Sequence, residues 1–139
     1  MRFMVMIKAN ADTESGVMPS PEIFEEMDKY NQQLINAGVM LSGEGLHPSS
    51  TGARISYTGD KMVVTDGPFA ETKELIAGYW IWRVDSLNEA IEWVKRGPFG
   101  DGVELEIRRI FDMEDFGDAL PDSVRESEER MRAQLGTTE

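Results

Sequence analysis

The chain has 139 residues, a mass of 15.6 kDa and 40% hydrophobic residues, enough for one domain built on a single core. It has no cysteine, which removes disulfides, thiolate metal sites and cysteine nucleophiles from the inventory. With 14 Lys and Arg against 26 Asp and Glu the formal charge is -12, a balance that repels phosphate backbones and anionic lipid and so argues against a nucleic-acid or membrane partner.

The first segment, Met1 to Lys8, is too short for a signal-peptide core or a membrane span, so a first strand in a cytoplasmic protein is expected. Phe3, Val5 and Ile7 alternate with Met4, Met6 and Lys8, and both faces of that strand are largely apolar. Asn10 to Gly16 reads as a polar loop. Ser20 then offers an N-cap with Pro21 at the first helical position. Ile23, Met27, Tyr30 and Leu34 recur at helical spacing until Gly38 stops the helix.

Val39 to Leu41 resumes as a strand whose twin glycines, Gly43 and Gly45, are a bulge signal. Arg54–Tyr57 and Met62–Thr65 are short β-rich runs joined by a glycine-containing turn, which predicts a hairpin. Leu75 to Val84 follows as a strand with large side chains on both faces. Ser86 and Glu89 have capping-box spacing before the stripe Leu87, Ala90, Ile91 and Val94, which Gly97-Pro98 ends. Val103 to Ile110 alternates apolar and charged residues, the pattern of a strand near a sheet edge with one wet face.

This order predicts an α+β fold of the ferredoxin-like split βαβ type with an inserted hairpin over residues 1–112. An acidic helical extension over 113–139 follows, with a C-terminal arm from Ser123 to Leu135 opened by a Ser123/Glu126 capping box. Two helical stripes cover only one face of a sheet, so the apolar second face predicts a homodimer.

The stretch Asp66-Gly67-Pro68-Phe69-Ala70-Glu71-Thr72-Lys73-Glu74, with Gly43-Glu44-Gly45-Leu46 upstream and Ala90-Ile91-Glu92-Trp93 downstream, resembles the DGPF-domain branch of the YCII-related proteins over roughly Met1 to Phe111. The resemblance implies a ferredoxin-like fold that pairs into a dimeric α+β barrel. It implies no general activity; some relatives are linked to extracytoplasmic-function sigma factors, which implies a non-catalytic regulatory or interaction module as the alternative. Better-studied relatives suggest a catalytic His-Asp pair, from which this chain departs: the first helix starts Ser20-Pro21-Glu22-Ile23, and the later position reads Gly97-Pro98-Phe99.

Asp66, Gly67, Pro68, Phe69, Glu71, Lys73 and Glu74 form the candidate ligand-binding stretch, for a small organic ligand. A turn carboxylate beside an ammonium is a way to hold an acid and a base together, which makes Asp66 a catalytic candidate; a capped turn with a solvated charge run fits the same residues. His47, the one histidine, is the second catalytic candidate, although a lone histidine before proline at a strand exit is more often a loop residue. No spacing supports a metal site, and the glycines are too scattered for a dinucleotide or phosphate-loop fingerprint, so neither metal nor cofactor is expected. Tyr79, Trp80, Trp82 and Trp93 suit either an aromatic pocket or plain core packing.

Overall fold

Phe3 and Val5 face the same side of β1 (Arg2–Lys8), and the sheet is assembled around them. In the computed structural model, which describes residues 1–70 and 72–136, β1 lies between β5 (Ile76–Arg83) and β6 (Leu105–Arg109), antiparallel to both. β2 (Met40–Gly45) pairs antiparallel with the far side of β5, giving the order β2-β5-β1-β6. β6 is an edge, as its alternating pattern predicts. Since β5 separates β1 from β2, and β1 separates β5 from β6, the chain makes two interlocked split βαβ units, the ferredoxin-like plan.

The crossovers are α2 (Pro21–Asn36) and α3 (Leu87–Lys95). Ser20 Oγ accepts from Ile23 N–H and Ser86 Oγ from Glu89 N–H, so both N-caps sit where the sequence puts them. Tyr30 and Leu34 of α2 and Ala90 of α3 are buried with Phe3, Val5, Trp80 and Trp82 on one sheet face. The Tyr30 hydroxyl donates to the Trp93 carbonyl oxygen at 2.6 Å and so ties α2 to α3. The opposite face carries Met4, Met6, Tyr79 and Ile81, all half-buried.

Between β2 and β5 the chain makes a separate two-stranded hairpin, β3 (Ala53–Thr58) and β4 (Lys61–Asp66), turned at Gly59-Asp60 with Gly59 at φ +59°. Ile55 pairs with Val64 and Tyr57 with Met62, so one hairpin face is apolar, and all four side chains are exposed.

Three local readings are corrected. The polar run after β1 contains a short helix, α1 (Ala11–Glu14), held by a reciprocal cap: Thr13 N–H donates to Asn10 Oδ1 at 2.9 Å, and Asn10 N–H donates to Thr13 Oγ1 at 2.8 Å. The irregularity in β2 falls between Met40 and Ser42, not at the twin glycines. The C-terminal helix, α4, spans Asp122–Leu135 behind Pro121 without a side-chain cap, because proline sets the entry one residue before the Ser123/Glu126 pair.

By contacts the chain forms two compact units, Met1–Arg109 and Ile110–Glu139. In the second, Phe111 stacks on Phe116 with ring centres 4.9 Å apart, a 3-10 segment (Met113–Ala119) kinks at Gly117, and Glu128 pairs with Arg132 along α4.

Candidate functional site

A cavity of about 700 Å³ opens within the first unit, between the N-terminal half of α2 and the sheet. Its cause is a gap in the side-chain layer. Gly45 of β2 pairs directly with Gly78 of β5, on the same face as Trp80, and Gly43 lies opposite Trp80 itself. Trp80 covers Gly43, but over Gly45 and Gly78 there is no side chain for α2 to pack on. The helical stripe accordingly divides: Tyr30 and Leu34 are buried, Met27 is half-buried, and Ile23 is 47% exposed at the cavity wall beside Phe24.

The walls are mostly apolar, with Ile7, Met27, Met40, Trp80 and Phe99 among them. Trp80 is held edge-on to both Tyr30 and Phe99, with centres 6.1 and 6.0 Å apart. Asn31 is a polar residue of the wall, on α2. Its Oδ1 accepts from Trp80 Nε1 at 2.9 Å. An indole N–H only donates, so the amide oxygen must face it, and the Asn31 amino group is left to donate elsewhere. Lys8 also lines the cavity, but its ammonium is 3.3 Å from Glu106 Oε1, and Glu44 lines the cavity too. A net negative chain whose lining lysine is already paired does not favour an anionic occupant.

Of the residues singled out in the sequence, His47 lines this cavity, at the exit of β2, and is exposed. Asp66 does not line it; it is the last residue of β4 and exposed. Gly67, Pro68, Phe69 and Glu74 lie outside the cavity as well. Glu71 and the side chain of Lys73 lie outside the described residues. The Asp66 to Phe69 turn instead seats on the Ser49 turn just after His47: Gly67 N–H donates to the Gly52 carbonyl at 3.0 Å and Phe69 N–H to Ser49 Oγ at 3.0 Å. Gly67-Pro68 is a cis peptide, and the Arg54 guanidinium stands 3.9 Å over the Phe69 ring. Of the aromatics offered as pocket or core, Tyr79 and Trp80 line the cavity, Trp82 is fully buried in the core and Trp93 packs against it.

Among the described residues no group of three or more His, Asp or Glu is placed to hold a metal ion, and no helix is long and apolar enough to cross a membrane. Sequence reasoning missed Asn31 and the glycine floor. The signal for Asn31 was an amide next to Tyr30 on the helix; the glycines were visible individually, but only the strand register brings Gly45 to Gly78.

Residues 1–114 match the YCII-related domain. The chain belongs to the YCII-related family. A curated relative, an uncharacterized protein of Rhizobium meliloti (strain 1021), is 27% identical over 73 residues, which is 52% of this chain and 59% of that protein's length. Among solved structures the chain is similar to 5-chloro-2-hydroxyhydroquinone dehydrochlorinase (TftG) from Burkholderia phenoliruptrix AC1100, in its complex with 2,5-dihydroxybenzoquinone. That likeness has 15% identity and a TM-score of 0.45 and covers 83% of this chain and 98% of the other.

Proposed function

We propose that this YCII-related protein binds a small, uncharged, largely apolar organic molecule in the cavity beneath α2. The observation that carries the reading is the side-chain gap over Gly45 and Gly78, walled mostly by apolar residues, with the Asn31 amino group left to donate by the Trp80 bond to Oδ1. A matching ligand presents a flat apolar body to Trp80 and Phe99 and a hydrogen-bond acceptor to Asn31, with the His47 imidazole at the opening as a second polar contact.

The test uses the neutral dye N-phenyl-naphthylamine, whose fluorescence rises in apolar surroundings. Saturable binding of one dye per chain is expected. An ideal Cβ at Gly45 meets no atom within 4 Å, so Gly45→Leu has room to fill the floor without disturbing the fold and should abolish the saturable signal. Equal dye signals from the two proteins would sink the reading, since the dye would then be reporting the exposed hairpin.

We further propose that the protein is a homodimer that covers the half-buried sheet face and the apolar hairpin face. Ile55, Tyr57, Met62 and Val64 are each more than half exposed, and a two-stranded hairpin with a bare apolar face is marginal alone. The second reading, a regulatory module that grips another protein such as an extracytoplasmic-function sigma factor, rests on that same hairpin face. A chain that stays monomeric at micromolar concentration and shows no saturable dye binding would favour it.

A further inference from the structure

We propose that the Asp66 to Phe69 turn is a brace for the cavity wall, acting through Ser49 and Glu14 as positioning residues. The inference rests on the cavity being the binding site. Two segments remote in sequence form that side of the cavity: Asn10 and Thr13, on and just before α1, and His47 and Pro48 beyond β2. Each ends one residue short of a clasp. Glu14, the last residue of α1, accepts the Ser49 N–H on Oε1 at 3.0 Å and the Ser49 hydroxyl on Oε2. Both carboxylate oxygens are thereby used on one residue, so the two segments are joined by a bidentate, charge-assisted contact.

The motif closes over this joint. The Ser49 hydroxyl has one proton, which goes to Glu14; its lone pair accepts the Phe69 N–H. An ideal Cβ at Gly67 would stand 1.7 Å from the Ser49 carbonyl oxygen, so only glycine lets the turn come this close. The hydroxyl thus relays the position of Phe69 to Glu14, and from there to Asn10 and Thr13. The motif's place outside the cavity and the wall's order inside it have one cause.

The experiment compares Ser49→Ala, Ser49→Thr and Glu14→Gln with the wild-type chain. Dye affinity and the thermal midpoint are measured together with the imidazole proton resonances of His47, the one histidine in the chain. Ser49→Ala should weaken dye binding about fivefold, the loss of roughly one hydrogen bond's worth of ordering, with a shifted and broadened His47 signal and a lowered midpoint. Ser49→Thr, which keeps the hydroxyl, should bring all three readouts back toward wild type. Glu14→Gln should follow Ser49→Ala. A Ser49→Ala protein with wild-type affinity and an unmoved His47 signal would overturn the brace. If the wild-type protein binds no dye, the cavity reading fails separately; the His47 signal then decides the brace alone, supporting it if Ser49→Ala shifts the signal and Ser49→Thr restores it, and refuting it otherwise.

Discussion

Trp80 Nε1 donates to Asn31 Oδ1, and this one bond both holds a tryptophan in the cavity wall and fixes which end of the asparagine is free. The two roles separate by substitution. Asn31→Asp keeps an acceptor for the indole but removes the amino group, so ligand or dye affinity should fall about five- to tenfold with little loss of stability. Asn31→Leu strands the Trp80 N–H and should destabilise the fold by about 1–3 kcal/mol in urea titrations. An Asn31→Asp protein with unchanged affinity would show that the amino group has no part in binding.

Tyr30 gives a pH-dependent prediction. Burial pushes its phenol well above the ordinary 10.0, with the nearby Arg96 opposing the shift. A phenol whose folded pKa is raised binds its proton more tightly when folded, so its contribution is complete below about pH 10, the unfolded value, and is lost as pH rises beyond it. The wild-type chain should therefore lose stability steeply above about pH 10 in denaturant titrations. Tyr30→Phe should cost about 1–3 kcal/mol at neutral pH, because the Trp93 carbonyl loses its donor, and should make the alkaline decline shallower. Parallel declines in the two proteins would show that other groups control alkaline unfolding.

The two glycines with opposite surroundings make a paired test of packing. Gly67→Ala drives a methyl group into the Ser49 carbonyl and should destabilise the first unit by roughly 1–3 kcal/mol, more if the turn cannot shift. Gly45→Ala meets open space and should stay within about 0.5 kcal/mol of wild type. Similar thermal midpoints for both would contradict the seating of the motif on Ser49.

For the proposed dimer, light scattering at micromolar concentration should return about twice 15.6 kDa. Met62→Lys combined with Val64→Lys places two charges on the apolar hairpin face and should yield monomers whose circular dichroism is close to that of the parent. A dimer untouched by both charges would place the contact elsewhere.

Much of the fold is visible in the sequence because its signals are local. Ser20-Pro21 and Ser86 cap their helices through contacts three residues away, and strand alternation reports one buried face. Local signals also explain the misses: Asn10 and Thr13 cap a helix of only four residues, too short to show a period, and Pro121 starts α4 before the box that resembles its cap. The motif from Asp66 was visible as distinctive, but not its role, because the need for Gly67 comes from a carbonyl eighteen positions earlier in the chain, at Ser49. The cavity depends on register between β2 and β5, which no single stretch contains.

The glycine floor has a consequence for selectivity among ligands. A side chain at Gly43 would press on Trp80 at 2.7 Å and on Met40 at 2.8 Å, and one at Gly78 would stand 3.0 Å from the Glu44 carbonyl. Enlargement at Gly43 must displace the wall, and at Gly78 it must push back the neighbouring strand. Gly45 alone of the three has room to grow, so the depth of the cavity is a single-residue gauge. Alanine, valine or leucine there would set successively smaller size limits on what enters, leaving the Trp80 and Asn31 contacts in place to recognise the same chemical type of guest.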